Sequence, residues 1–352
     1  MSFHRISGVG SARINRLLEY FDTLEAAWSA SEHALRATGL PSDVVAAILS
    51  ERGLIDPERE MQQLERHGVR ALTLDDEDYP RLLRHIPLPP PVLYVRGTLL
   101  PTDELAIGLV GTRRATSYGT DMTARISRGL AEAGVTVVSG LALGIDTVAH
   151  RTALEAGGRT LAVFGCGLDT IYPSRNRQLA EQVVENGALV SEYALGTRPD
   201  ARNFPVRNRI ISGLSRGVVV VEAPARSGAL ITTSFAADQG RDVFAVPGSA
   251  LSNASIGCHE LIRNGATLVT GAGQILDQLD VARVEVQTQA RLLLPETQSE
   301  RMLYEIVGAE PRHVNELSIE SGLAIQETSG TLLALELKGL VRQSGSQHYV
   351  RA

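Results

Sequence analysis

The sequence predicts an α/β protein whose core is a Rossmann-like, doubly wound and mostly parallel sheet. A helical domain precedes that core and a winged helix follows it. Three observations predict this. Short apolar runs alternate with helical segments between residues 106 and 280, as parallel strands joined by crossover helices do. Residues 1–66 carry helical periodicity alone. Residues 296–352 give three short helical segments and then a β-like tail, the order of a winged helix. At 352 residues the chain exceeds one ordinary core, so two or three domains are expected.

Taken in order, residues 1–66 hold two similar halves. Ile6-Ser7-Gly8-Val9-Gly10 precedes a helical pattern from Ala12 to Phe21, and Thr38-Gly39-Leu40-Pro41 precedes one from Ser42 to Glu51. Apolar-Gly-apolar-Gly before a helix resembles a helix-hairpin-helix or SAM-like module, whose helix N-termini can face a phosphate. The surrounding charge is acidic, and a plain helical packing module fits as well. Residues 67–105 hold an acidic turn, Asp75 to Pro80, and a stiff Pro87-Leu88-Pro89-Pro90-Pro91 segment entering a strand at Val92. Domain two is taken as 67–285, with strands at Ala106–Val110, Thr136–Ser139, Thr160–Phe164, Ala188–Ser191, Val218–Glu222 and Val243–Val246. Helices are expected at Asp121–Ala133, Ile145–Glu155, Arg177–Asn186 and Leu230–Gln239. Residues 281–295 read as a linker. Domain three, 296–352, has helices near Ser299–Val307, Val314–Gly322 and Ile325–Lys338 and a tail at Leu340-Val341-Arg342 and His348-Tyr349-Val350.

Composition narrows the function classes. No apolar run is long enough for a membrane span, and the N-terminus lacks an apolar signal. Two cysteines, neither in a CxxC, argue against a disulfide framework and fit a reducing cytoplasm. The net charge of -6 looks wrong for a nucleic-acid binder. Residues 106–250, however, carry 15 Lys+Arg against 12 Asp+Glu, and Lys338 is the only lysine. The positive charge is therefore guanidinium, which pairs bidentately with phosphate and stacks on bases.

In an open α/β sheet, ligands bind beyond the carboxyl ends of the strands. Those ends hold Gly111-Thr112-Arg113-Arg114; Ser139-Gly140-Leu141 with Gly144; Gly165-Cys166 with Tyr172, Arg175, Asn176 and Arg177; a long loop ending in Phe204 with Arg207, Asn208 and Arg209; and Ser227-Gly228. Nearly every loop is glycine-rich, arginine-bearing or both. Glycine lets the backbone approach an anion, helix N-termini offer free N–H groups, and arginine adds charge-assisted bonds. A row of such loops suits consecutive phosphates, with Phe204 and Tyr172 as stacking candidates.

Other chemistries fit less well. The first loop lacks GxGxxG, and the second strand ends Val138-Ser139-Gly140 without a ribose-binding carboxylate, so NAD is not expected. Ser139, Asp146 and His150 lie close together but without a nucleophile elbow, and Asp146 fits a helix start. Cys166, Cys258 and His259 are too scattered for a metal. No cofactor is expected.

These motifs, from Val110-Gly111-Thr112-Arg113 through Ser139–Asp146, Gly165–Asp169, Tyr172-Pro173, Phe204-Pro205 with Arg207–Ser215, Ser227–Thr232, Gly240–Gly248 and Leu261-Ile262 with Gly265-Ala266, follow one another as in the DprA/Smf family. The sequence resembles that family over roughly residues 105–270. The resemblance implies a protein, not an enzyme, that binds and shields incoming single-stranded DNA in natural transformation and helps load RecA recombinase. It also implies a homodimer. By position, Arg113 matches the family's DNA-contacting arginine, while Arg175 and Arg177 share the charge near Asn176. The implied dimer surface holds His259, Ile262 and Leu268. The segment in the recognition-helix position, with Gln326, Glu327, Thr328, Ser329 and Glu336, has only Lys338 basic, so protein contact is favoured there over duplex reading. Two other classes stay open. One is a nucleoside-monophosphate phosphoribohydrolase-like enzyme using Glu222, though the Pro-Gly-Gly-x-Gly-Thr loop of that class is absent. The other is a scaffold with incidental DNA affinity.

Overall fold

The computed structural model describes residues 2–6, 8–279, 297–308, 311–338, 340–344 and 347–351. The chain divides into two compact units, residues 1–277 and 278–352. The expected linker at 281–295 lies outside the described residues.

The first unit opens with five helices, α1 (Ser11–Tyr20), α2 (Leu24–Ser29), α3 (Glu32–Ala37), α4 (Ser42–Glu51) and α5 (Pro57–Arg66). Thr23 and Ser31 cap α2 and α3 through their hydroxyls, and Asp56 caps α5 just before Pro57, as helix starts favour. Phe3, Ile14, Leu17, Leu35, Val45 and Ile48 close a small core of their own. Arg13 and Arg16 of α1 donate to the carbonyls of Gly8 and Thr38. They thus brace the two glycine turns, at Gly8 and Gly39, both in the left-handed region.

The nine-stranded sheet runs β1 (Val69–Thr73), β2 (Val92–Gly97), β3 (Ala106–Val110), β4 (Thr136–Ser139), β5 (Thr160–Phe164), β6 (Gly187–Ser191), β7 (Gly217–Val220), β8 (Asp242–Ala245) and β9 (Thr267–Leu268). Its spatial order is β1-β2-β6-β5-β4-β3-β7-β8-β9. β2 pairs antiparallel with β1 and β6, and every other pairing is parallel. The chain steps outward from β3 to β6, then returns to lay β7 on the other side of β3. That switch point sits where the order reverses.

The helices between are α6 (Arg81–Arg84), α7 (Ser117–Glu132), α8 (Ile145–Glu155), α9 (Arg177–Glu185), α10 (Asn203–Gly213), α11 (Ala229–Asp238), α12 (Ile256–Arg263) and α13 (Ala272–Gln278). β3 through β7 are buried along their whole length, which is why they read as unbroken apolar runs. Alternate residues feed the two faces. Leu161 and Val163 join Val138, Val218, Ile210 and Ile211, whereas Ala162 and Phe164 join Leu179, Val183 and Leu189. Each of these side chains except Ala162 contributes roughly 1.5–3 kcal/mol by leaving water.

One expectation needs correcting. Residues 203–209 are not the end of a loop but the first two turns of α10. Pro205 is tolerated because a first-turn residue needs no intrahelical N–H partner. The helix is buried on several sides, with Arg207, Arg209, Ile210 and Ile211 all inside, so it lacks the amphipathic stripe that would identify it.

The helical N-terminal segment packs within the same unit. Ser11 Oγ donates to Glu192 at 2.6 Å, Arg5 donates to the Leu195 carbonyl at 2.6 Å, and His4 meets the Tyr94 hydroxyl. The second unit holds α14 (Gln298–Ile306), β10 (Arg312–His313), α15 (Val314–Ser321), α16 (Ile325–Leu337), β11 (Val341–Gln343) and β12 (His348–Arg351). Its sheet order β10-β12-β11 completes a winged helix around Leu303, Leu317, Leu332 and Leu335. Among the described residues no helix is long and apolar enough to cross a membrane.

Candidate nucleic-acid interface

The carboxyl ends of β3 to β7 are stitched into one rim by backbone and side-chain bonds. The Thr112 N–H donates to the Glu222 carbonyl at 2.8 Å, and the Ile145 N–H donates to the Thr112 carbonyl at 3.2 Å. One residue thus ties three loops together. Gly144 makes the second contact possible. Its φ is 81°, and a Cβ there would lie 2.4 Å from the Thr112 oxygen. Farther along, Asn176 donates to the Leu141 carbonyl and Thr147 Oγ1, both at 2.8 Å. The Gly196 N–H donates to Asp169 at 2.9 Å, and the Asn203 amide donates to the Gly165 carbonyl at 3.2 Å. Asn208 donates to the Gly228 carbonyl.

Above this frame stand the cations. Arg113, Arg114, Arg175, Arg177 and Arg226 are exposed, and none has an acidic partner among the described residues. The Arg113 guanidinium lies 5.6 Å from the Phe204 ring centre, within cation–π range. Tyr172 stacks on Phe204 at 5.5 Å with 25° between the planes. Gly165 lets the ring settle there, since a Cβ would meet Phe204 Cδ1 at 2.9 Å. The nearby exposed pair Arg202–Asp200 is self-neutralised at 2.7 Å.

The frame has its own buried electrostatics. Asp146 accepts the Gly140 and Ala142 N–H groups at 3.1 and 3.3 Å, closing the turn before α8 as a helix-start carboxylate does. Burial pushes its carboxyl above the usual range, and the Arg207 charge opposes that rise. Arg207 is itself buried and donates to the Gly140 and Val163 carbonyls. Burial lowers its guanidinium from the ordinary value, with Asp146 opposing. His150 bonds Thr160 Oγ1 at 2.7 Å, and burial, then the charge of Arg207, pushes its imidazole down to about 3. Glu222 takes the Thr116 N–H and hydroxyl at 3.0 and 2.6 Å and so anchors the start of α7. A Cβ on Gly119 would lie 2.2 Å from its oxygen.

The expected site residues therefore separate into two layers. Arg113, Arg114, Arg175, Arg177 and Gly228 are exposed, and Gly111, Thr112, Gly144, Phe204, Asn208 and Ser227 are half-buried along the rim. Gly140, Leu141, Gly165, Cys166, Asn176 and Arg207 are buried directly beneath, where they shape the rim rather than face solvent. Two placements differ from expectation. Ser139 is fully buried and donates to the Leu109 carbonyl at 2.6 Å. Arg209 points inward to a bidentate pair with Glu192 at 2.7 and 2.8 Å. Its neighbours Arg207 and Asn208 turn elsewhere because successive residues on a helix face directions about 100° apart. Tyr172, expected as a stacking candidate, is exposed at the rim, and so is Arg226, which the sequence displayed only as a loop member.

On the other side of the sheet order, His259 hydrogen-bonds Gly248 and Ile262 is partly packed on the core. Leu268 is 46% exposed on the edge strand β9.

Fold and rim define a class: a doubly wound α/β protein with an amide-and-guanidinium edge, joined in sequence to a winged helix. A family model for DNA recombination-mediator protein A matches residues 70–280, and one for the DprA winged helix domain matches residues 287–346. The chain belongs to the DNA recombination-mediator protein A (DprA/Smf) family. Protein Smf of Synechocystis sp. is 38% identical over an alignment of 388 residues that spans 100% of this chain and 98% of the relative. The X-ray structure of DNA processing protein A from Streptococcus pneumoniae is similar with a TM-score of 0.68 and 36% identity, covering 78% of this chain and 95% of that one. DNA processing protein A from Helicobacter pylori, described for its single-stranded DNA binding mode, is similar with a TM-score of 0.54 and 31% identity, covering 60% and 95%.

Proposed function

We propose that the rim binds single-stranded DNA without sequence preference, shields it, and passes it to a RecA-type recombinase in transformation and recombination. The observation that carries this is the Arg113 guanidinium over Phe204, itself stacked on Tyr172, among exposed cations without an acid partner among the described residues. An aromatic pair offers bases a stacking face, and free guanidiniums with bare amides offer phosphates charge and donors. The relative from Helicobacter pylori, named for that binding mode, supports the same reading.

We read the chain as a binding protein rather than an enzyme. Asp146, His150 and Glu222 are all buried and engaged in holding backbone or hydroxyl groups. The phosphoribohydrolase reading loses its carboxylate, because Glu222 is committed to the start of α7. In the cytoplasm the chain would act as a homodimer joined through the region of residues 259–268, where Leu268 stands exposed on β9. The winged helix is read as a protein-contact module. Arg312 pairs with Glu320 at 2.6 Å and Lys338 with Glu300 at 2.9 Å, so these cations are spent inside the domain.

Fluorescence anisotropy with labelled oligonucleotides tests the proposal. Single strands of unrelated sequence should bind alike and lose affinity steeply with salt. Arg113→Ala should lower affinity for all of them by roughly tenfold, as loss of a charge-assisted phosphate contact plus a stacking partner predicts. Unchanged affinity for Arg113→Ala at several salt concentrations would refute the rim as the binding site.

A further inference from the structure

Beside the rim, α8 and α9 flank an open trough of about 510 Å³ lined by Arg151, Arg175, Gln178 and Gln182, with exposed Glu155 and Glu185 farther from the rim. Both helices start at the rim and run away from it, so residue number measures distance from the rim. Arg151 lies four residues, about 6 Å, below Thr147 on the same stripe of α8. Thr147 Oγ1 accepts the Asn176 amide, which also holds the Leu141 carbonyl of the rim. The trough thus opens directly off the rim at Asn176.

Its charge is graded. Arg151 and Arg175 are exposed and have no acidic partner among the described residues. Gln178 and Gln182 add neutral amide donors, and Glu155 and Glu185 occupy the far end. Glu155 faces Arg128 at 3.9 Å in a pair whose side chains are both about half exposed, so their attraction is weak in water. The mouth attracts phosphate and the far end repels it.

We propose that the mouth of this trough is a second phosphate seat, which takes the flank of the same single strand after it leaves the rim. The inference rests on the single-stranded DNA reading of the rim. It assigns Arg151, which lies outside the rim motifs, a role in footprint length. The carboxylates below limit the extension to one or two phosphates and turn the strand back to solvent.

Two strand lengths separate this proposal from its parent. A strand of about 6 nucleotides fills the rim, and one of about 20 reaches the trough. Arg151→Ala should leave the short strand's affinity unchanged and weaken the long strand roughly fivefold. The slope of log affinity against log salt should shrink by about 0.7 for the long strand alone, the loss of one single-strand phosphate contact. Gln182→Glu, which extends the repulsive end upward, should produce the same length-selective loss, and Arg151→Lys should restore most of the affinity. Equal affinities for Arg151→Ala and the parent protein on both strands overturn the trough, as does equal loss on both. If Arg113→Ala leaves the short strand unaffected, the rim reading itself falls, whatever the trough variants do.

Discussion

Replacing Arg207 with Met tests whether the rim is held by its buried charges. Arg207 is 4% exposed and sits between the Gly140 and Val163 carbonyls. Its charge also opposes the burial penalty on Asp146. Met fills similar volume but removes both donors to those carbonyls and the positive charge that favours the Asp146 carboxylate. Leaving the buried Gly140 and Val163 carbonyls without their charged donor costs about 1–3 kcal/mol each, so Arg207→Met should lose about 2–5 kcal/mol at pH 7. The pH dependence has a definite sign. The folded carboxyl of Asp146 already lies above its ordinary value, and loss of Arg207 raises it further. A group whose folded pKa exceeds its unfolded one binds protons more readily when folded, so the variant regains stability as pH falls through the folded value towards the unfolded one. Relief of His150 from the Arg207 charge acts in the same direction. Asp146→Asn, which keeps an acceptor for the Gly140 N–H, should rescue Arg207→Met by more than 1 kcal/mol, a coupling expected of residues in one network. Urea unfolding of the four proteins of this cycle at pH 7 and pH 5.5 measures both effects. A deficit identical at the two pH values, together with strict additivity in the double variant, would refute the argument.

Two further outcomes follow from the same frame. Gly144→Ala places a Cβ 2.4 Å from the Thr112 oxygen at a φ of 81°; thermal melting should show a loss of about 2–4 kcal/mol, with weaker DNA binding as the first two loops part, and a melting temperature equal to that of the parent would contradict the stitched rim. His150, depressed to about 3 when folded against an ordinary 6.5, binds its proton mainly in the unfolded state, so stability present above pH 6.5 is lost as pH falls towards 3. At pH 4 this amounts to on the order of 3 kcal/mol; His150→Asn, able to keep the Thr160 contact, should lose correspondingly less than the parent on acidification, and parallel pH–stability curves would show that His150 does not titrate as described.

The sheet was legible because its central strands are buried on both faces. Val137-Val138, Leu161–Phe164 and Val218-Val219-Val220 are continuous apolar runs, which only parallel, doubly covered strands require. β9 escaped notice because two residues carry no period. α10 escaped because it has no solvent-facing stripe and contains Pro205. The loops' convergence on one edge was legible from strand order alone, since every parallel strand delivers its following loop to the same side.

By itself the sequence determined which residues could gather at that edge: glycines and arginines placed after apolar runs, in chain order, need no coordinates to be assigned to a common rim. Only the tertiary structure decided which of them face outward. Arg207, Asn208 and Arg209 are neighbours in the chain, yet one props the frame, one ties it and one pairs with Glu192. Helical phase and the positions of partners from distant segments set those directions, and a linear pattern contains neither.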